Sequence, residues 1–336
     1  MAFIVKRPGW YLPETAATPE SAYQNRRAFL KTMGLGGMIA AGIGCSESDV
    51  GAQGPVATAK APELPPLPEH TVNAAYADAG RDITDETKAT TYNNFYEFGL
   101  NKGDPARYAK DFHLNPYTLK IDGLVDKPVE MDVEQIEALG FEQRVYRFRC
   151  VERWAMTIPW LGVPLRKVLE QAGVKSSAKY VAFKSFYDPE KAPGQKNKSY
   201  KWPYYEALRL DEAMNDLAFI STGHYGKRLV PQSGTPLRIV LPWKYGYKGP
   251  KSVVQMTLTD KEPPTFWNDA NGREYKFYSN IDPKVSHPRW SQARESYLGD
   301  ATPGGRLGGF RHDTQWYNGY GEQVADLYAD LPRKLI

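Results

Sequence analysis

The chain has 336 residues, with 43 Lys and Arg against 39 Asp and Glu. The first 45 residues hold five of the basic and two of the acidic residues, which leaves the remainder with a net charge of +1. This near-equal balance of charges implies no nucleic-acid-binding surface. With 22 Tyr, 8 Trp, 26 Pro and 29 Gly, the composition favours a loop-rich α+β protein over a helical bundle.

The N-terminus has the features of an export signal. Arg26 and Arg27 precede an uncharged, glycine-rich apolar stretch, residues 33–43, which is too short to span a bilayer. Its repeated glycines disfavour a stable globular helix. We therefore predict a twin-arginine signal peptide over residues 1–45, which directs the folded protein to the periplasm.

The sequence contains two candidate cleavage sites for this signal. Cleavage near residues 57–59 gives a soluble protein, whereas Cys45 as a lipid-bearing first residue gives an anchored one. We favour the soluble form, because Gly42 stands where a lipidation site has a bulky apolar residue. Residues 46–70 are rich in Pro and Ala and predict a linker, so the folded domain is expected over residues 71–336.

The remaining pattern predicts one domain of mixed sheets with short helices. The predicted elements are, in chain order, strand 117–125, helix 133–139, strand 144–150, helix 164–172, strand 178–187, an exposed polar loop 188–198, helix 210–214, a buried strand 217–221, strand 253–258 and a helical segment 323–331.

Cys150 is the first candidate for chemistry. Tyr146, Phe148 and Cys150 alternate with two arginines, so a strand places the thiol on an aromatic face and points it inward. Cys45 is the other cysteine of the chain and lies at the edge of the signal, so the mature protein keeps one unpaired thiol in an oxidising compartment. Such a thiol indicates catalysis or metal ligation, and a small buried hydrophobe is the alternative.

Two further segments have the composition of a ligand site. Residues 90–99 combine aromatic rings with amides, which suits either a flat polar ligand or an ordinary capped turn. Lys244, Lys248 and Lys251 lie among glycines after a strand that carries Arg238. This loop predicts either a phosphate site or a solvated charged hairpin.

Several other sites are disfavoured by spacing. The five histidines show no pair at metal-ligand spacing, and the chain has no Gly-x-Ser-x-Gly elbow, Walker A motif or dinucleotide-binding glycine fingerprint. A Cys-His thiol hydrolase stays open, because its histidine need not be near in sequence.

Taken together, the longer motifs resemble the catalytic subunits of bacterial periplasmic protein-methionine-sulfoxide reductases, which are molybdenum enzymes of the sulfite oxidase fold family. The resemblance extends from about Tyr92 to the C-terminus. The motifs that carry it are YNNFYEFG at 92–99, RFRCVE at 147–152, Met156, PW at 159–160, PWKYGYKG at 242–249 and HPRWSQA at 287–293.

The resemblance implies a sulfite-oxidase-type domain that binds molybdopterin without an appended nucleotide, with Cys150 as the thiolate ligand of the metal. The pterin contacts that it implies are Asn93, Tyr96, Glu97, Ser185, Ser233, Arg238, Gly249, Pro250 and Lys251. Ser185 and Ser233 depart from the family pattern, where Thr and Asn are expected. A serine at 233 still offers one hydrogen bond, so we expect cofactor binding to be retained.

Asn94 and Glu152 are the implied residues beside the metal, where they orient a sulfoxide oxygen or a water. The alternative for Glu152 is a surface ion pair with Arg153 or another cation.

The activity implied by the resemblance is removal of oxygen from methionine sulfoxide residues of oxidised periplasmic proteins, with electrons from a haem-containing membrane subunit and the quinone pool. Oxidation of sulfite or a similar oxyanion is the second hypothesis, which an acidic Glu152 beside the metal disfavours. An exported binding lipoprotein, anchored through Cys45, is the third.

Overall fold

The structure, a computed structural model, describes residues 64–114, 116–300 and 312–332. The strands in these residues are β1 (Thr71–Val72), β2 (Leu119–Gly123), β3 (Val129–Met131), β4 (Glu142–Arg149), β5 (Trp154–Pro164), β6 (Tyr180–Ser185), β7 (Tyr205–Arg209), β8 (Phe219–His224), β9 (Lys227–Arg228), β10 (Arg238–Val240), β11 (Val253–Thr259), β12 (Arg294–Tyr297) and β13 (His312–Asp313).

The helices are all short. They are α1 (Glu86–Thr91), α2 (Asp104–Tyr108), α3 (Val133–Glu137), α4 (Leu165–Glu170), α5 (Leu210–Met214), α6 (Phe266–Asn271) and α7 (Gly321–Val324). Short 3₁₀ helices occur at Ala74–Tyr76, Pro193–Lys196, Pro231–Ser233, Gly246–Lys248, Trp316–Gly319 and Ala325–Tyr328. Among the described helices, none has the length and apolar character that a membrane span requires.

The larger sheet is built around β5. Strand β4 pairs antiparallel with one edge of β5, and the other edge is shared by β12 near Trp154 and by β8 from Trp160 onward. Strands β1 and β13 extend the sheet beyond β4 and β12, and β9 and β10 pair with β8. Strands from the middle and the C-terminal part of the described chain therefore pair with one central strand.

The smaller sheet has the order β3-β2-β11-β6-β7. Its β2 and β11 run parallel and its other neighbours run antiparallel. Two mixed sheets with short helices confirm the predicted α+β class.

Strand β5 is the main element that the sequence analysis missed. All eleven of its residues are buried, so it lacks the polar alternation by which a half-exposed strand is recognised. Pro159 and Pro164 also disfavour a central strand. Gly162 faces the main chain of β8 so closely that a Cβ there would collide with the carbonyl of Ile220.

Other predicted elements differ in their bounds or burial. The predicted loop 188–198 is not fully exposed, because Ala192 and Gln195 are buried and the Gln195 amide donates to the Phe186 carbonyl at 3.0 Å. The predicted helical segment 323–331 begins earlier, as α7, and continues as a 3₁₀ helix.

Residues 64–70, the described part of the predicted linker, contact the folded domain. The Arg228 guanidinium donates to the carbonyls of Pro65 and Pro66 at 2.8 and 3.0 Å, and Leu67 packs against the core. The predicted signal peptide and Cys45 lie outside the described residues.

Candidate functional site

Cys150 lies at the tip of the β4–β5 hairpin. Its amide donates to the Trp154 carbonyl at 2.9 Å, and the Arg153 amide donates back to its carbonyl at 3.0 Å. Arg153 closes this turn with a φ of 75°. The turn brings the Glu152 amide to 3.4 Å from the Cys150 sulfur. Because Cys150 is only 6% exposed, the predicted inward orientation of the thiol is confirmed.

The hairpin tip is held from behind by the segment around β12. The Trp290 indole and the Gln292 amide both donate to the Val151 carbonyl, at 2.9 and 2.8 Å. The Arg149 guanidinium, which is fully buried, contacts Glu295 at 2.7 Å and the Gln292 side-chain oxygen at 2.9 Å. Neighbours distant in sequence therefore fix the position of the thiol.

Asn94 approaches the thiol from a second loop. The Asn93 amide donates to the Lys102 carbonyl at 3.1 Å and closes a loop whose rings Phe95 and Phe98 are buried. The side-chain nitrogen of Asn94 lies 3.5 Å from the Cys150 sulfur. This loop therefore brings Lys102 close to the site as well.

Glu152 accepts three hydrogen bonds from nitrogen donors at one oxygen, Oε2, which the Cys150 sulfur also approaches at 3.8 Å. The donors are Lys102 Nζ at 2.7 Å, Asn94 Nδ2 at 3.1 Å and Trp154 Nε1 at 3.1 Å. Burial opposes its ionisation, but Lys102 and Asn94 outweigh burial and hold the pKa of Glu152 below its ordinary value. The predicted alternative of an ion pair is thus realised through Lys102, and that pair offsets the negative charge expected beside the thiol.

A cavity of about 740 Å³ opens above the thiol. Of the twelve residues predicted for the site, the eleven that line it are Asn93, Asn94, Tyr96, Glu97, Cys150, Glu152, Ser233, Arg238, Gly249, Pro250 and Lys251. Ser185 does not line the cavity. It is buried behind the wall, where its hydroxyl donates to the Lys251 carbonyl at 2.7 Å.

The basic loop of the sequence analysis divides into two groups. Lys244 and Lys248 do not line the cavity, and their ammonium groups are buried against Glu212 at 2.5 Å and Glu206 at 2.6 Å. The expectation that all three lysines serve a phosphate is therefore wrong for these two, because each is already paired inside the protein. Lys251 alone of the three faces the cavity.

Arg238 and Lys251 give the cavity a positive wall. Burial lowers the pKa of Arg238 to about 10, and no carboxylate of the described residues forms an ion pair with it. Burial and the charge of Arg238 also lower the pKa of Lys251. A buried cation without a carboxylate partner, such as Arg238, suits an anionic ligand, because isolated burial of a charge is costly.

The residues that would hold molybdopterin fit that group. The side-chain oxygens of Asn93 and Asn94 and the Nε of Arg238 are buried and have no hydrogen-bond partner among the described residues. The oxygens can accept from a pterin ring, and the guanidinium can donate to a phosphate. Gly249 keeps its loop close to β10, because a Cβ there would collide with the carbonyl of Ile239.

The free thiol is not ionised. Burial first, and then the charge of Glu152, raise the pKa of Cys150 to about 12. A thiolate at this position therefore needs a metal or another cation to displace its proton.

Aromatic side chains form another part of the cavity wall. The rings of Tyr96 and Tyr275 each lie 5.1 Å from that of Trp267, and the Arg289 guanidinium lies 4.8 Å from the centroid of Trp290. All of these residues line the cavity. Such rings suit a sulfur-containing apolar side chain.

Sequence reasoning missed some cavity residues. Lys102 has no motif around it, and only the loop closure at Asn93 brings it to Glu152. The spacing of His224 in the sequence fits no metal-ligand pair, yet its imidazole is buried and lines the cavity. Its position at the end of a buried strand is the one sequence feature that indicates a role.

The chain has relatives among known proteins. A family model described as oxidoreductase molybdopterin binding domain matches residues 107–267. The chain is similar to the protein-methionine-sulfoxide reductase catalytic subunit MsrP of Xanthomonas axonopodis pv. citri (strain 306), with 43% identity over 96% of this chain and 97% of that one.

Among solved structures, the sulfane dehydrogenase SoxCD of Paracoccus pantotrophus matches with a TM-score of 0.39 and 20% identity. That match covers 48% of this chain and 42% of the SoxCD chain. The similarity to MsrP, in contrast, extends over nearly the full length of both proteins. The chain belongs to the family of protein-methionine-sulfoxide reductase catalytic subunits.

Proposed function

We propose that this protein is a molybdenum-dependent reductase that repairs methionine sulfoxide residues in oxidised periplasmic proteins. The observation that carries the proposal is the buried thiol of Cys150 at the base of a cavity with a cationic and an aromatic wall, in a chain 43% identical to MsrP. The overall conversion takes a sulfoxide, two electrons and two protons to a thioether and water.

Molybdopterin without an appended nucleotide, when bound, supplies the two-electron oxygen-transfer chemistry. Cys150 would be its protein ligand through the sulfur, and Arg238 and Lys251 would neutralise its phosphate. Asn93, Tyr96, Glu97, Ser233 and the loop at Gly249 would hold the pterin. Ser185 would act indirectly, since its hydroxyl supports the carbonyl of Lys251.

The residues beside the thiol position the substrate. Lys102 and Asn94 are hydrogen-bond donors, and Glu152 Oε2 orients both of them. A sulfoxide oxygen is an acceptor, so these donors can direct it toward Cys150 while the aromatic wall holds the apolar part of the side chain. Glu152 is one-third exposed, which lets water deliver protons to the site.

The proposal extends to the location and the electron donor. Twin-arginine export would deliver the folded, loaded protein to the periplasm, and a haem-containing membrane subunit would pass electrons from the quinone pool. The resemblance supports both, and mass spectrometry of the mature N-terminus tests the first. A start beyond residue 45 is expected, whereas a diacylated Cys45 would contradict the soluble form.

Oxidation of a small oxyanion is the second candidate. Arg153 and Arg289 line the cavity, and Lys102 offsets the charge of Glu152, so the acidity that disfavoured an anionic substrate is reduced. The Arg289 guanidinium forms an ion pair with Glu274 at 2.8 Å, and this pair weakens the attraction of Arg289 for an anionic substrate. We therefore favour the sulfoxide.

The decisive experiment compares the loaded protein with a Cys150→Ser variant. Stoichiometric molybdenum and pterin, reduction of methionine sulfoxide by a reduced viologen, and loss of both molybdenum and activity in the variant are expected. Oxidation of sulfite with an acceptor dye, without sulfoxide reduction, would favour the second candidate. A folded protein without molybdenum or pterin, from a host that makes them, would refute both.

A further inference from the structure

Three buried polar groups at one end of the cavity have no partner in the described residues. They are the indole nitrogen of Trp160, both ring nitrogens of His224 and Nε of Arg238. The three side chains are 1%, 2% and 5% exposed. The His224 ring interacts weakly with its own main chain, but neither of its nitrogens makes a hydrogen bond there. Buried groups of this kind are rarely left unpaired, because each costs free energy unless a ligand or water completes it.

The sheet brings these groups together. Trp160 of β5 lies opposite His224 of β8, and their ring centroids are 5.9 Å apart. The guanidinium carbon of Arg238, on the neighbouring strand β10, lies 4.8 Å from the centroid of Trp160. Because all three side chains line the same cavity, they form a continuous polar corner.

This corner also borders the rest of the site. Phe148, two residues before Cys150, has its ring centroid 5.9 Å from the guanidinium carbon of Arg238. Arg238 in turn forms a β-bridge with Lys251. A ligand that occupies the corner can therefore extend along the cavity toward the thiol.

The chemistry of the three groups selects an oxyanion. The indole of Trp160 and Nε of Arg238 can only donate hydrogen bonds, and an imidazole can donate one as well. A phosphate monoester offers several acceptor oxygens and the negative charge that the Arg238 guanidinium lacks among the described carboxylates. A neutral planar ring would satisfy the donors but leave the buried charge uncompensated.

We propose that Trp160 and His224, together with Arg238, bind the phosphate end of the molybdopterin. This inference rests on the proposed cofactor and adds two residues to those expected to hold it. Burial and the charge of Arg238 lower the pKa of His224 to about 4, so the ring is neutral before the anion arrives and keeps one N–H to donate.

The test compares cofactor retention in four variants made in a host that supplies the cofactor. Trp160→Phe and His224→Phe remove the polar atoms but keep an aromatic ring, whereas His224→Gln keeps a donor. Tyr225→Phe is the matched control, because Tyr225 lines the same cavity but its hydroxyl is already bonded to the Thr84 carbonyl at 2.7 Å. Molybdenum and pterin per protein, and the rate of pterin release after dilution, are measured for each.

Release about tenfold faster, or more, is expected for Trp160→Phe and His224→Phe, as for loss of a hydrogen bond to a charged group. His224→Gln and Tyr225→Phe are expected to release at rates near that of the wild type. Wild-type release from both phenylalanine variants at positions 160 and 224 would overturn the inference while leaving the proposed function intact. A wild-type protein without pterin would overturn both.

If the variants fail to fold, a second measurement tests the proposal on the wild-type protein. Inorganic phosphate is titrated into cofactor-free wild-type protein labelled with ¹⁵N-histidine, and the His224 nitrogen resonances are followed. A saturable shift at His224 is expected. Unchanged His224 resonances at phosphate concentrations that fill the cavity, as judged by protection of Lys251 from amine labelling, would contradict the assignment.

Discussion

Lys248 and Lys251 lie three residues apart in one glycine-containing loop, yet the structure assigns them opposite roles. Lys248 is 1% exposed and donates to Glu206 at 2.6 Å and to the Ala207 carbonyl at 2.8 Å. Lys251 lines the cavity. Lys248→Met should therefore lower the stability of the protein and leave its cofactor site intact. Lys251→Met should leave the stability near that of the wild type and impair cofactor binding.

The size of the first effect follows from the burial of Glu206. Burial already raises its pKa despite Lys248, and its second oxygen has no partner among the described residues. Removing one member of a buried pair typically costs about 3–5 kcal/mol. For a domain of this size that corresponds to a Tm lower by about 6–10 °C.

The assay is thermal unfolding of cofactor-free protein, with pterin content measured separately on protein made in a host that supplies the cofactor. A double variant, Lys248→Met with Glu206→Leu, is the control and should recover most of the loss, because no unpaired charge remains. Lys251→Met should unfold near the wild-type Tm and carry little pterin. A Lys248→Met protein of wild-type Tm that lacks pterin would refute this division of the loop.

Three further predictions concern the cavity. Burial lowers the pKa of His224 to about 4, so between pH 6.5 and pH 4 the unfolded chain binds a proton that the folded protein does not. The free energy of unfolding of the cofactor-free protein should therefore decrease by up to about 3 kcal/mol as the pH is lowered through this range. Denaturant titrations should show a flatter profile for His224→Gln, and an unchanged profile would contradict the assignment. Gly249→Ala should displace its loop from the Ile239 carbonyl and lower pterin content, and a fully loaded variant would show that the close approach is dispensable. Glu152→Gln should reduce sulfoxide turnover about tenfold or more at unchanged molybdenum content, since it weakens the charged acceptor of three donors, whereas wild-type turnover would remove Glu152 from substrate positioning.

The extent to which the site could be predicted depended on whether its residues occur in continuous motifs. Cys150, Glu152 and the Asn93–Asn94 pair lie in long motifs, and the cavity brings them together. The thiol is buried as strand alternation predicted, but β4 itself does not alternate, since Arg149, expected on the opposite face, is fully buried as well.

The parts that could not be predicted depend on partners distant in sequence. The sequence shows three lysines near two glycines, but it does not show that Glu206 and Glu212 meet two of them inside the protein. Lys102 reaches Glu152 only because a loop closes on itself. Strand β5 was missed for a related reason, since burial on all sides removes the alternation that reveals a strand.

The contacts to the Val151 carbonyl have a consequence for biosynthesis. Trp290 and Gln292 lie 139 and 141 residues after Val151, so the ribosome makes them long after it has made Cys150. Local hairpin formation can place the thiol early, but long-range contacts form only once the distant segment exists. A nascent chain that ends before residue 290 therefore lacks the support that fixes the thiol. A site finished in this way therefore exists only after the segment that carries Trp290 and Gln292 has been synthesised and has folded against the hairpin.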